Sequence, residues 1–309
     1  MPAPAIEIQG LVKDYGRTRA LDGLDLTVEP GRIVGFLGPN GAGKTTTIRI
    51  LLDLIRPTAG SARALGFNAQ RDSMQVRERC GYLPGDLRLY EGMRGDEFLD
   101  LIDSFRPHKR DRRLRDRLID DLTLDSSITI RALSKGNRQK LGLVQAMMHR
   151  PELLILDEPT SGMDPLVQQQ VARLLEGAAR DGGTVFFSSH VLSEVERLSQ
   201  SVAIIRAGRI VAVEDIARLK ARSVHVLEVT FAQAPPADAF HAIPGVSELR
   251  RDGAVVHLQA RDGIDALLKA LARHRVLDLR TEQPSLEDVF LAYYARPDQG
   301  EEERRDAAS

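Results

Sequence analysis

Arg32-Ile-Val-Gly-Phe-Leu37, then Gly38-Pro39-Asn40-Gly41-Ala42-Gly43-Lys44-Thr45-Thr46, then Ile48 to Pro57, is the stretch on which the fold turns. An apolar run of strand length enters a glycine-rich loop, and the residues beyond it carry apolar side chains at helical intervals as far as Pro57. The loop fits G-x-x-x-x-G-K-[ST], a pattern whose chemistry needs each residue type. Glycines let backbone N–H groups turn inward around phosphate oxygens, and the N-terminus of the following helix adds positive potential. Lys44 is then in place for β- and γ-phosphates, and the Thr45 hydroxyl for Mg²⁺. A chance glycine-rich turn is the plainer alternative, and the flanking strand and helix weigh against it.

On the amino-terminal side, Ile6 to Val12 and Leu24 to Val28 are separated by turn-forming residues and predict strands of an antiparallel layer. On the other side, from Gly85 to Lys135, apolar residues at helical spacing (Phe98, Leu101, Ile102, Phe105; Leu114, Leu118, Leu122) predict a mostly helical insert. Strand and helix then alternate: Leu153 to Asp157, Pro165 to Arg180, Thr184 to Ser188, Val191 to Leu198, Ser201 to Arg206. Alternation of this kind predicts an α/β fold with a parallel sheet covered by helices. Near residue 220 the pattern changes to strands at Val224 to Phe231, Val246 to Arg250, Ala254 to Gln259 and Val276 to Thr281, with helices at Gly263 to Arg273 and Ser285 to Tyr294. We therefore expect domains at 1–220 and 221–296, the second a small α+β domain, and a charged, disordered tail over 297–309.

Composition removes several function classes. The chain of 309 residues has 43 Lys+Arg against 44 Asp+Glu, a net of -1, so no overall basic field draws it to nucleic acid or anionic lipid. It has no Trp and 5% aromatic residues, a poor basis for base stacking. The basic run Arg106 to Arg117 reads as a solvated helix face, and direct nucleic-acid binding is not expected. No apolar stretch approaches the ~20 residues of a spanning helix. The opening MPAPAIEIQG has no basic, then apolar, secretory pattern. Cys80, the single cysteine, cannot form an internal disulfide and reads as a small buried hydrophobe.

A nucleotide hydrolase also needs an apolar strand ending in carboxylates, and Leu153-Leu-Ile-Leu-Asp157-Glu158 supplies it. Asp157 can hold Mg²⁺ and Glu158 can polarise the attacking water. Alone the pair would read as a helix cap or solvated turn; downstream of a phosphate loop it reads as chemistry. Between the two motifs lies Leu133-Ser134-Lys135-Gly136-Asn137-Arg138-Gln139, which resembles the signature of ABC transporter ATPases. Further matches follow: Ser161-Gly-Met-Asp164 resembles the D-loop, Ser188-Ser-His190 the switch-histidine loop, and Asp14-Tyr15-Gly16 the loop whose ring stacks on adenine. Six motifs in the family's order cover residues 5–220.

The resemblance implies a phosphate-loop ATPase core, with a mixed sheet flanked by helices, an antiparallel β layer and a helical subdomain near 85–135. It implies ATP and Mg²⁺ at Tyr15, Gly38 to Thr46, Asp157, Glu158 and His190. It also implies a head-to-tail dimer in which Ser134, Gly136 and Asp164 face the nucleotide of the other copy. Transport would need a separate transmembrane permease, with this chain cytoplasmic and peripheral on the inner face of the membrane. In isolation His190 would be a structural histidine, Tyr15 a strand-edge aromatic, and Ser134 the N-cap of a helix beginning near Asn137.

Two departures stand out. Lys135 and Asn137 replace the usual Gly and Gln of the signature, a variation resembling that of bacterial drug exporters. In Cys80-Gly-Tyr-Leu-Pro84-Gly85-Asp86, Gly85 stands where many members have a Mg²⁺-touching Gln, leaving Asp86 as a candidate acting through water. The segment Pro284 to Leu291 resembles one that closes the accessory domain of drug-resistance exporters, and it also reads as a capped amphipathic helix. A soluble ABC-type ATPase without a membrane partner and an ATP-binding regulatory module remain the alternatives.

Overall fold

The computed structural model describes residues 3–106, 112–221, 225–260 and 264–282. The expected helix Ser285 to Tyr294 and the tail lie outside these residues. The chain divides into two compact units, Met1–Asp215 and Ile216–Ser309.

The first unit opens with β1 (Ile6–Tyr15) and β2 (Thr18–Val28), an antiparallel hairpin turning at Gly16, followed by β3 (Ile33–Leu37) and α1 (Lys44–Leu51). Next come β4 (Ala59–Ala64), β5 (Phe67–Asn68), α2 (Ser73–Arg79) and β6 (Cys80–Leu83), then α3 (Gly95–Ser104), α4 (Arg112–Asp121) and α5 (Lys135–Met147). The unit closes with β7 (Leu153–Asp157), α6 (Pro165–Arg180), β8 (Thr184–Ser189), α7 (Leu192–Leu198), β9 (Ser201–Arg206) and β10 (Arg209–Asp215).

Two sheets result. One is antiparallel, in the order β2-β1-β4-β5; the other has six strands in the order β10-β9-β3-β8-β7-β6. Within the second, β6, β7, β8, β3 and β9 run parallel and β10 pairs antiparallel at one edge, so the sheet is mixed. β3 and β7 are buried along their whole length, as continuous apolar runs in a helix-covered sheet should be. Phe36 on β3 and Phe186 on β8 meet at 5.2 Å between ring centroids in this core. The carboxyl ends of β3, β7 and β8 lie side by side, and such an edge is where parallel α/β sheets bind ligands.

Three differences from the sequence expectation bear on the site. Helix α1 ends at Leu51, not at Pro57, because Asp53 takes a left-handed φ of 54° and the N–H groups of Leu54 and Ile55 fold back onto the Arg49 carbonyl. The segment 84–94 carries no helix; the helices of the insert are α3 and α4. Helix α5 starts at Lys135, two residues before Asn137, with Ser134 as its N-cap.

The second unit contains α8 (Ile216–Ala221), β11 (His225–Phe231), β12 (Val246–Asp252), β13 (Val255–Ala260), α9 (Ile264–Leu271) and β14 (Val276–Glu282). Its strands form one antiparallel sheet, ordered β12-β13-β11-β14. Leu227, Val229 and Phe231 of β11 pack with Phe240, Leu267 and Leu271 to give this unit its own core. No helix among the described residues is long and apolar enough to cross a membrane.

Candidate active site

The loop from Gly38 to Gly43 links β3 to α1, and glycine is required at its end. Gly43 caps the helix at φ 111°, and a Cβ there would lie 2.6 Å from Leu21 and 2.8 Å from the Ala20 carbonyl. Ala42 and Gly43 are buried, while Pro39, Asn40 and Gly41 stay exposed at the loop tip. Lys44 is 6% exposed, and its Nζ donates to the carbonyls of Gly38 (2.6 Å) and Pro39 (3.2 Å). Desolvation lowers its pKa, partly offset by the charges of Glu158 and Asp157. Thr45 and Thr46 are half-buried in the first turn.

Asp157 ends β7 at 2% exposure, and both of its oxygens are engaged. Thr45 Oγ1 donates to Oδ2 at 2.8 Å, and Ser188 Oγ donates to Oδ1. Buried carboxylates need such partners. The next residue, Glu158, has a left-handed φ of 52°, which separates its side chain from the strand direction. Its N–H donates to Ser188 O (3.2 Å) and Ser188 Oγ (3.1 Å). One carboxylate oxygen accepts from His190 Nδ1 at 2.8 Å, and the other lies 3.7 Å from Lys44 Nζ. An acid, a base and a cation thus converge at the carboxyl ends of three adjacent strands.

Ser188, which the sequence offers only as the start of the switch-histidine motif, has a role of its own in the site. It bridges Asp157 and Glu158, and its one available signal is its place two residues before His190 at the end of an apolar strand.

The remaining predicted residues stand elsewhere. Tyr15, 47% exposed, ends β1 with Lys13 Nζ 5.0 Å from its ring centre. Ser134 Oγ accepts from Asn137 N–H at 3.2 Å, and Asp164 caps α6 by accepting from Leu166 and Val167 N–H, each at 3.0 Å. Gly136 lies beside Gly162, whose carbonyl would be 3.9 Å from a Cβ added at 136. Among the described residues, no hydrogen bond or ion pair joins Ser134, Gly136 or Asp164 to the Lys44–Glu158–His190 group.

Gly85 abuts the acidic pair. A Cβ built there would lie 3.2 Å from Asp157 Oδ2, so this position faces the carboxylate without offering it a ligand. Asp86 is paired with Arg88 at 3.1 Å. The donor set suits Mg²⁺ all the same. A hydroxyl and a carboxylate 2.8 Å apart are hard oxygen ligands, and Mg²⁺ bound with a nucleotide takes its other ligands from phosphates and water.

Residues 21–161 match the family described as ABC transporter. The chain is 35% identical to the daunorubicin/doxorubicin resistance ATP-binding protein DrrA of Streptomyces peucetius, over 96% of this chain and 94% of that one. The chain belongs to the ABC transporter ATP-binding family. As a member it is an ATPase, with the fold that the family's motifs imply. It is also 34% identical to the bacitracin transport ATP-binding protein BcrA of Bacillus licheniformis, over 93% of this chain and 96% of that one. A solved ATP-binding subunit of an ABC transporter superposes with a TM-score of 0.64 at 27% identity, over 70% of this chain and 92% of that one. A dimeric, post-hydrolysis ATP-binding cassette, MJ0796 bound to ADP and Pi, shares the fold at a TM-score of 0.62 and 20% identity, over 68% of this chain and 98% of that one.

Proposed function

We propose that this chain is the ATP-hydrolysing subunit of an exporter, held on the cytoplasmic face of the membrane by a separate permease. The observation that carries the reading is the convergence of Lys44, Glu158 and His190 beside the Thr45–Asp157–Ser188 group. Export of a drug-like compound is supported by the similarity to DrrA, a daunorubicin/doxorubicin resistance protein, and to BcrA, a bacitracin transport protein, which both match this chain over nearly its whole length.

ATP enters with its adenine on Tyr15 and its phosphates in the Gly38 to Thr46 loop. The phosphates replace the loop carbonyls as partners of Lys44, a desolvated cation whose charge is then better used. Thr45 and Asp157 hold Mg²⁺, which when bound neutralises charge on the phosphates. Glu158 accepts a hydrogen bond from the attacking water and aligns it with the γ-phosphate, and His190 fixes the carboxylate and reaches the same phosphate. Among the described residues, Ser134, Gly136 and Asp164 share no hydrogen bond or ion pair with this group in one chain. We therefore assign them to the nucleotide of a second copy, packed head to tail. The groove lined by Leu54, Tyr82, Leu87, Tyr90 and Phe98, near Gly85, is where we place the membrane partner. The domain division at 220 and 296 is part of this proposal, with no catalytic residue in the second domain.

The test is steady-state Mg-ATPase activity against protein concentration. Specific activity should rise with concentration and vanish in Lys44→Ala; a constant specific activity would remove the dimer from the scheme. Gly85 gives a narrower test. In Gly85→Ala the added Cβ crowds Asp157 Oδ2, and the Mg²⁺ concentration for half-maximal activity should rise about tenfold, the low end of what outer-shell changes cause. An unchanged Mg²⁺ requirement would show that the carboxylate gives way to the methyl group without disturbing the ion.

A further inference from the structure

Glu158 occupies a backbone conformation that its Cβ disfavours, at φ 52°, so neighbouring bonds must hold it there. Two of these bonds come from Ser188 and fix its N–H. Its carbonyl accepts from Ser161 N–H in the following turn at 3.2 Å and, from a different element, from Gln139 Nε2 on α5 at 3.3 Å. Gln139 is 7% exposed, and a buried amide is committed to the partner it has. The same face of α5 makes a second approach to this segment, since the Lys135 side chain covers Gly162, 3.5 Å from where a Cβ would stand.

The second half of helix α5 is packed tightly against β6. A Cβ at Gly81 on β6 would lie 2.0 Å from the Ala146 carbonyl, and one at Gly142 would lie 2.6 Å from Leu83. Contacts this close hold the second half of α5 to the sheet, so a displacement at Ser134 is taken up in the first half, where Gln139 sits. The helix thus has Ser134 exposed at its N-terminus and, one turn later, a direct bond to the backbone that aims the Glu158 carboxylate.

From this we infer that Gln139 is a positioning residue for hydrolysis, linking engagement of Ser134 at one nucleotide to the alignment of Glu158 at the other. The inference rests on the proposed head-to-tail ATPase. When Ser134 meets the partner's γ-phosphate, a displacement of α5 passes through Gln139 to Glu158 in its own chain. Each site then fires when the other is occupied.

The experiment compares the full-length chain with Gln139→Met, which keeps the side-chain length and removes the donor. It also uses Gln139→Glu, which keeps the shape and replaces the donor with an acceptor. In both, kcat should fall about tenfold, as expected for a small misalignment of the water-orienting group, while the Kd of a fluorescent ATP analogue stays within about twofold. Placed in a Glu158→Gln background, Gln139→Met should still form the ATP-dependent dimer seen by size-exclusion chromatography. A kcat within about twofold of the wild type in either folded variant would overturn the inference. So would loss of dimer and nucleotide affinity together with kcat, which would make Gln139 a packing residue. A wild-type chain without concentration-dependent turnover would instead overturn the reading on which the inference stands, and the inference with it.

Discussion

Glu158→Gln is expected to bind ATP with native affinity, to turn it over about 10²–10³-fold more slowly, and to accumulate as a dimer. The geometry gives the reason. The Gln amide keeps the size of the side chain, and its oxygen can still accept from His190 Nδ1, which in the native chain lies 2.8 Å from Glu158 Oε2. What is lost is the charge that, in the proposed scheme, orients the attacking water and takes up its proton. In the proposed scheme Lys44 and the glycine-rich loop hold the phosphates, and Thr45 and Asp157 the Mg²⁺, without the Glu158 side chain, so binding should survive. With hydrolysis blocked, the nucleotides remain between the two copies and hold them together. Turnover by rapid quench and mass by light scattering, with and without ATP, check both parts. Native turnover in this variant would move the water-orienting role away from Glu158.

Most of the elements around that site are legible in the sequence because their burial is extreme. The runs Leu153-Leu-Ile-Leu and Val185-Phe-Phe are apolar at every position and short, a pattern that suits a strand covered on both faces. The second unit shows the opposite pattern: β13 alternates buried and half-buried residues with period two. Strand β4 could not be read this way. Its sequence Ala59-Gly-Ser-Ala-Arg-Ala64 buries only two alanines and is held by backbone pairing to β1, which leaves no imprint on side-chain hydropathy. Helix α1 reads longer in the sequence than it is for a related reason. Leu52 and Ile55 continue the apolar spacing, but they pack from an irregular turn, and Asp53 alone gives little sign of the left-handed break.

The site divides in the same manner. Lys44, Asp157, Glu158 and His190 announce themselves by residue type at fixed points of a strand–loop pattern. Ser188 and Gln139 do not, because serine near a strand end and glutamine in a helix are common. Their significance arises only when β7, β8 and α5 come together at the Glu158 backbone. Residues that touch substrate are chosen for reactivity and carry a chemical signal. Those that hold the first set in place work through ordinary hydrogen bonds, and these become visible only in three dimensions.

A second large effect is expected where no chemistry occurs. His149, just beyond α5, is largely buried, with Nε2 donating to the Cys80 carbonyl at 3.2 Å and Nδ1 buried without a partner. Burial first, and then the charge of Arg106, push its pKa down from 6.5 to about 4, against a small opposing contribution from the Cys80 carbonyl. The folded chain therefore resists a proton that the unfolded chain takes up near pH 6.5. Above that pH neither state is protonated and the full stability is present. As the pH falls from 6.5 toward 4 the unfolded state gains, and below about 4 the loss levels off. At about 1.4 kcal/mol per pH unit, the gap corresponds to about 3 kcal/mol, a sizeable part of a domain's stability. His149→Gln keeps an N–H donor for the Cys80 carbonyl and cannot titrate. Its urea midpoint should fall less steeply than that of the wild type between pH 6.5 and 4, with the two curves parallel above pH 7. Carboxylates that titrate near pH 4 contribute equally to both chains, so the difference isolates His149. Parallel curves throughout would mean that the imidazole is protonated as readily in the folded chain as in the unfolded one. The junction of β6 and α5 would then have to open enough to hydrate it.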